Sequence, residues 1–559
     1  MWVLNWFRSG APWIWLTGGA VSISLLAVLG LLTLIGWKGL NYFWPAPVYQ
    51  WTLLEAPVGL QTLPIKTGER IVGQLYQKEQ VPTAQLPEPW QTLAAGEAQL
   101  TRLNIKVANR ERYPSEFLSL LQVQLSDAQT PSDIAVIERS RGGYFFCRIL
   151  AFVDEGVQTT QGVLPLLDEK IGYAQRLREE ITLIVEHNIK PLSWRLEQLR
   201  LEKRKRELNK TVTPDYLSNY LTQKAQFELQ LSNYDQQLDS LRLQLTGYSL
   251  IVEDMTGERV PIALSDILDY WLPNQMNFAQ KMGHWAQQLW KFLSDDPRES
   301  NSEGGVFPAI FGTVFLVLIM SIIVMPLGMI AAIYLHEYAK NNAFTRIIRI
   351  AVINLAGVPS IVYGVFGLGF FVYTIGGSID ELFYAERLPA PTFGTPGLLW
   401  SALTLAVLTL PVVIVTSEEG LTRIPNSVRH GSLALGATQY ETLWRVVIPM
   451  ATPAIITGLI LAIARAAGEV APLMLVGVVK LASSLPVDGQ FPYVHLDRKF
   501  MHLGFHIYDV GFQTSNIEAA RPLVYATSFL LVTVIVGLNL TAISIRNNLR
   551  EKYRTLGQD

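Results

Sequence analysis

Arg465 and Glu469 stand four residues apart in an otherwise apolar run, about residues 454–479. On a continuous helix this spacing puts both side chains on one face. An ionised group near the centre of a bilayer costs about 2.5–3.5 kcal/mol even on lenient insertion scales, so such residues face one another or a polar passage. The chemistry on offer is anion handling. A guanidinium fork donates two parallel hydrogen bonds to a tetrahedral oxyanion. A nearby carboxylate accepts the proton that a partly protonated oxyanion carries and a fully ionised one lacks, which penalises the wrong anion. The alternative is a structural ion pair that satisfies itself.

A second stretch lies just upstream: GSLALGATQYETLWRVVIP, beginning at Gly431. Ser432, Ala434, Gly436 and Ala437 are small and let a helix approach another backbone closely. Gly436 tolerates a positive φ and so permits a sharp change of direction. Tyr440, Leu443, Trp444 and Val447 then recur at i, i+3, i+4 and i+7, the spacing of one helical face. Such a helix–hinge–helix can sit in a partner's groove and be pushed by it. An ordinary amphipathic connector has the same spacing.

These residues need membrane helices to position them. The chain has 559 residues, half of them hydrophobic and 16% charged, yet its mean hydropathy is only +0.24. A sizeable polar domain must therefore dilute the apolar segments. The net charge of -2 makes no case for nucleic acid, and the single cysteine, Cys147, excludes an internal disulfide or a multi-cysteine metal site. Within YFFCRIL it reads as a core residue. A hydrocarbon core of ~30 Å needs roughly 20 apolar residues per helix. Six runs qualify, at about 13–36, 307–335, 347–375, 397–416, 454–479 and 523–545. The first exceeds the roughly 7–15 residues of a signal-peptide core. It meets no small-residue cleavage site, so residues 1–44 read as an uncleaved anchor. Ala356, Ser360 and Gly364 form a small-residue stripe suited to close helix contact.

Basic residues cluster in alternate loops: Lys340, Arg346 and Arg349, then Arg423, Arg429 and Arg445, then Arg546, Arg550, Lys552 and Arg554. The bias places these loops, both termini and a loop at 417–449 in the cytoplasm, and residues 38–305 outside. In that outer insertion, residues 45–167 alternate short β-rich runs with turn signals. Residues 168–247 carry two leucine stripes, Leu177 to Leu199 and Leu217 to Leu245, separated by NKTVTPDY, as in an antiparallel coiled-coil hairpin. Residues 248–303 supply a return strand and linker to a permease region at 304–559. The expected class is a mainly α membrane protein with an extracytoplasmic α+β insertion. The histidines are scattered, with no spacing for a metal site or a catalytic triad. No P-loop occurs, so ATP would have to be hydrolysed by another chain.

From Gly304 onward the sequence resembles the permease subunits of phosphate ABC importers. The resemblance rests on LAGVPSIVYGVFGLGFF, LTLPVVIVTSEEGLTRIP, RHGSLALGATQYETLWRVVIP, ARAAGEVAPLM and NIEAARPLVYATSFLLV. Their cytoplasmic motif is E-A-A-x-x-x-G, nine residues, then I-x-L-P. Gly436 fills the glycine and Val446–Pro449 the close, while His430, Gly431 and Ser432 depart from E-A-A. The phosphate branch usually reads R-E-G-S there, so His430 replaces a glutamate. The resemblance implies a type I importer permease with six transmembrane helices in the cell inner membrane, needing no cofactor. Gly431, Ser432, Ala434, Leu435, Gly436, Ala437, Tyr440, Leu443 and Pro449 would couple it to an ATPase dimer. Arg465 and Glu469 would line the passage of inorganic phosphate. A second, similar permease, an extracytoplasmic phosphate-binding protein and membrane lipid are the implied partners. Rival readings are a permease for molybdate or sulfate, a phosphate-sensing scaffold without transport, and a secondary transporter, which the coupling-loop pattern disfavours.

Overall fold

The computed structural model describes residues 9–54, 68–86, 98–109, 112–113, 116–154, 156–298, 303–340, 342–514 and 517–555. Side chains at 11–12, 518–519, 549–550 and 552–555 lie outside that description, Arg550, Lys552 and Arg554 of the basic tail among them. The chain divides into two units, residues 1–42 with 292–559, and residues 43–291.

Helix α1, Ala11–Asn41, opens the first unit, with proline in its first turn. Proline suits that place because its missing N–H has no intrahelical partner there. The second unit begins with a four-stranded antiparallel sheet, β1 Tyr49–Thr52, β2 Arg70–Pro82, β3 Gln99–Lys106 and β4 Phe117–Leu121. A second sheet starts with β5 Ile134–Arg139, β6 Tyr144–Asp154 and β7 Val157–Thr159. Then come α2 Val163–Ile184, α3 Lys190–Leu208 and α4 Pro214–Leu243. β8 Tyr248–Glu253, β9 Arg259–Ala263 and β10 Ile267–Trp271 complete the sheet in the order β10-β5-β6-β8-β9, with β7 beside β6. Helix α5, Phe278–Ser294, begins in this unit and runs across its boundary at Lys291.

Every residue of β5 is buried. Its pleat sends alternate side chains to opposite faces, and both faces are covered. Ile134 and Val136 join Phe146 in one core, while Ile137 joins Phe145, Cys147 and Leu167 of α2 in another. Two cores therefore share one sheet. Between α2 and α3 the helix carries a π-bulge at Val185–Ile189. The α3–α4 turn is closed by Thr213, whose hydroxyl accepts the Tyr216 N–H, with Pro214 opening α4. The basic run at the tip is spent largely on its own helices, as in Arg206–Glu202 at 2.9 Å and Lys203–Glu207 at 3.5 Å.

The first unit resumes with the short ribbon β11 Pro297–Arg298 and β12 Glu303–Gly304. Its helices are α6 Phe307–Ile333, α7 Ala343–Leu355, α8 Ser360–Phe366, α9 Gly377–Phe383 and α10 Leu398–Thr422. After them come α11 Asn426–Ala434, α12 Gln439–Thr442, α13 Ile448–Gly468, α14 Leu473–Val476, α15 Leu503–Tyr508 and α16 Ile517–Thr555. Among the described residues six helices are long and apolar enough to cross a membrane: 13–41, 307–338, 360–383, 398–422, 439–468 and 520–548.

Three of these differ from the sequence-based bounds by more than about five residues at one end. The third begins at Ser360 rather than near 347, because Gly357-Val358-Pro359 breaks the helix and α7 stands as a separate amphipathic element. The fourth runs on to Thr422 instead of ending near 416. Glu418, a loop residue by its charge alone, is neutralised by Arg349 at 3.0 Å. The fifth runs from 439 to 468, not 454–479, since α12, a π-bulge at Leu443–Val447 and α13 join without interruption. α1 docks on α16 through glycine: a Cβ at Gly39 would lie 2.9 Å from the Ala526 Cα. Of the small-residue stripe, Gly364 makes the close approach, to Pro472.

Candidate functional site

Helix α13 stops at Gly468. Glu469 has φ -80° and ψ 128°, extended backbone, and caps the helix with its N–H on the Ala466 carbonyl at 3.2 Å. The expectation of one shared helical face is corrected: Arg465 lies in the last turn and Glu469 just beyond it. The two still meet, with Arg465 Nε 3.7 Å from Glu469 Oε1. That separation is too long for a hydrogen bond. Both side chains are partly exposed, and the guanidinium makes no hydrogen bond among the described residues. Its helical neighbours Ala462, Ala466 and Ala467 are buried. The arrangement holds a cation at a helix end with its donors unspent, beside a carboxylate that can share a bound anion's proton.

The segment after Glu469 is pinned by backbone. Pro472 packs on Gly364, and the Gly397 N–H donates to the Val476 carbonyl at 2.9 Å. A Cβ at Gly477 would fall 2.6 Å from the Gly397 carbonyl oxygen, so only glycine lets α14 and α10 meet so closely.

At the opposite end of the fifth span lies an exposed loop. Gly436 has φ 91°, in the left-handed region that glycine adopts without strain. Gly431 and Gly436 have open space around them, and Leu435 is 92% exposed. Ser432, whose hydroxyl lies 2.9 Å from that of Thr442, ties α11 to α12. Thr438 and Glu441 cap α12 reciprocally. The four-residue stripe divides: Tyr440 and Trp444 are exposed with rings 6.1 Å apart, whereas Leu443 and Val447 are buried. Ala434 and Leu435 are exposed, and Ala437 and Pro449 half-buried.

Sequence reasoning missed the clamp behind this loop. Arg429 donates to the carbonyls of Ile424 at 2.7 Å and Leu421 at 2.9 Å, and to Glu337 at 2.9 Å. Glu337 sits in a π-bulge, Tyr334–Tyr338, that ends α6. The clamp joins α11 to α6 across 92 residues of sequence. The legible signal was a glutamate at the end of an apolar run, which asks for a cation. A cleft of about 490 Å³ lined by Arg349, Val352, Glu418 and Arg423 lies near these helices. Two of its charges, Arg349 and Glu418, already pair with one another, and neither Arg465 nor Glu469 lines it.

The loop between α14 and α16 carries a third cluster. Asp488 accepts from the Gln490 N–H and from Arg498 at 2.6 Å, and meets His495 at 2.9 Å. Burial pushes its carboxyl up, and these partners more than offset that, so its pKa lies below the usual range. His506 is buried, with neither ring nitrogen hydrogen-bonded among the described residues. Burial lowers its pKa from 6.5 to about 4, and that of His502 likewise. A lowered value means that the native state keeps these rings neutral while the unfolded chain takes up protons. Their stabilisation is complete above about pH 6.5 and drains as pH falls toward 4. At pH 5 each ring should cost about 2 kcal/mol relative to pH 7. The purified chain should therefore melt at lower temperature at pH 5 than at pH 7, and His506→Leu should narrow that difference.

With this geometry in view, comparison with known proteins decides the family. A family model described as "Binding-protein-dependent transport system inner membrane component" matches residues 324–554. The phosphate transport system permease protein PstA 1 of Mycobacterium tuberculosis (strain CDC 1551 / Oshkosh) is 32% identical over 267 residues, 48% of this chain and 77% of that protein. The chain belongs to the PstA permease family. PstA of Yersinia pestis is 31% identical over 252 residues, 45% of this chain and 75% of its own length. A chain of the inward-facing MetNI methionine ABC transporter is 16% identical with a TM-score of 0.32, covering 47% of this chain and 98% of that one. As a PstA-family member, the chain is a multi-pass inner-membrane component of an ABC importer, a transport subunit and not an enzyme. Permeases of such importers work with a separate ATPase and a substrate-binding protein.

Proposed function

We propose that the chain forms half of the translocation pathway of an ATP-driven importer of inorganic phosphate. It pairs with a second, PstC-like permease and is driven by a PstB-like ATPase dimer. A PstS-like binding protein delivers phosphate on the outer face. Both termini are cytoplasmic in this reading, and residues 38–305 are outside, as the basic loops favour.

One observation carries the reading: the uninterrupted rod from Gln439 to Gly468. At 1.5 Å per residue it is about 45 Å long. It begins beside the exposed loop of Gly431, Leu435 and Gly436 and ends at Arg465. Closure of a nucleotide-bound ATPase against Leu435, Tyr440 and Trp444 is thereby delivered to the guanidinium. Arg465 then binds the dianionic face of phosphate, and Glu469 accepts the proton of hydrogen phosphate, a contact that sulfate does not supply.

Purification in mild detergent tests the assembly. Recovery of the chain with an ATPase and a second permease is expected, and Leu435→Asp should release the ATPase while the permease pair persists. Isolation of the wild-type chain without either partner would contradict it.

A further inference from the structure

Helix α5 wears its polarity reversed. At about 100° per residue, Phe278, Leu289, Met282, Ala286, Ala279, Trp290 and Gly283 fall in one arc of roughly 140° that contains no polar residue. Phe278 is 71% exposed, Met282 42% and Trp290 70%. Ala279, Gly283 and Ala286 are exposed too, and Leu289 is half-buried. His284, Gln288 and Lys291 turn to the protein instead, while Gln280 and Gln287 stay exposed beyond the apolar arc. The His284 ring lies 4.5 Å from that of Trp271, and Lys291 pairs with Asp269 and with Glu138 at 3.6 Å. A helix bathed by water on that side would show the opposite pattern.

The helix is also well formed. Asn277 caps it by accepting the Gln280 N–H at 2.9 Å, and the Gln280 side chain returns the bond. Its 17 residues include two tryptophans and no carboxylate. That composition suits the interfacial layer of a bilayer.

The end of α5 is fastened to the start of a membrane-spanning helix. The Phe292 carbonyl accepts the Val306 N–H at 2.8 Å, and the Asp295 carbonyl accepts the Phe307 N–H at 3.3 Å. Val306 is the residue before α6. Trp290 is thus two residues from a backbone bond to the mouth of that helix, where indole rings prefer the interface between headgroups and acyl chains.

We propose that α5 is an in-plane interfacial helix whose arc of Phe278, Met282 and Trp290 lies against phospholipid. Lipid is favoured over a protein partner by the bonded connection to α6 and by the absence of acidic residues. The helix anchors the insertion to the bilayer surface at its C-terminal end. The inference depends neither on the solute carried nor on which side of the membrane the insertion occupies.

The test uses the full chain in vesicles of phosphatidylethanolamine and phosphatidylglycerol. Cys147, the one native cysteine, is buried, so the wild-type chain serves as the unlabelled blank. Met282→Cys, Trp290→Cys and, as a water-exposed control on α4, Gln237→Cys each receive a polarity-sensitive fluorophore. Labels at 282 and 290 should be quenched by lipid carrying a nitroxide near the headgroup and should lose iodide quenching; the label at 237 should show the reverse. Quenching by iodide at 282 and 290 equal to that at 237 would overturn the proposal. Protection from both quenchers would overturn it as well, by showing a protein cover, and would leave phosphate uptake untouched as a separate question.

Discussion

Arg465→Ala should cut phosphate uptake about a hundredfold, and Arg465→Lys about tenfold, while the chain still assembles with its partners. The sizes follow from the chemistry. A hydrogen bond to a charged group contributes about 1.5–3 kcal/mol, and each 1.4 kcal/mol is a factor of about ten. Alanine removes both arms of the fork. Lysine keeps the charge but not the planar pair of donors. Assembly should survive because the guanidinium makes no hydrogen bond among the described residues and lies 3.7 Å from its carboxylate, so little of the fold hangs on it. Uptake by vesicles reads the first effect and co-purification the second. Glu469→Gln separates recognition from packing. It should retain phosphate uptake in part while admitting sulfate as a competitor, which a purely structural ion pair would not do. Wild-type uptake in Arg465→Ala would remove the residue from the passage.

Breaking the Arg429–Glu337 clamp should uncouple the importer. Arg429→Gln takes away the 2.9 Å bond to Glu337 and weakens those to the Leu421 and Ile424 carbonyls. Both partners are mostly buried, so the carboxylate is left without its cation at a cost of about 1–3 kcal/mol. That is well short of the stability of a large membrane domain, and the chain should still fold. The loss falls instead on α11, which is then no longer held to the end of α6 when the ATPase moves. Nucleotide hydrolysis should continue while uptake drops about tenfold, by the same conversion. Glu337→Gln should behave alike, and the double variant should be no worse than either alone, because residues in one contact are not additive. Independent, additive losses would mean that the pair does not act as a unit.

The membrane half was legible because its signals are strong and local. Runs of about twenty apolar residues announce spanning helices, and Gly436 in a run of small residues announces its own turn. Where hydropathy and spacing misled, a weaker signal was overridden by packing. A third span set by hydropathy passes through Gly357-Val358-Pro359, although proline restricts the residue before it. Arg465 and Glu469 fall on one helix by spacing, which cannot show that α13 ends between them. The clamp from Arg429 to Glu337 crosses 92 residues, a distance that periodicity does not reach. The insertion was harder still. Ile134, Val136 and Ile137 mark β5 as a strand, but the sequence does not show which cores cover its two faces. In α5 the apolar stripe can be read from the sequence, and only the fold shows that it points away from the protein.

Nucleotide-driven phosphate import is tested most directly by accumulation of radiolabelled phosphate in vesicles that hold the chain, its second permease, the ATPase and the binding protein. Phosphate should accumulate only when the ATPase is supplied with ATP, excess sulfate should not compete, and Arg465→Ala should all but remove the signal. Accumulation without ATP, or equal displacement by sulfate, would contradict it.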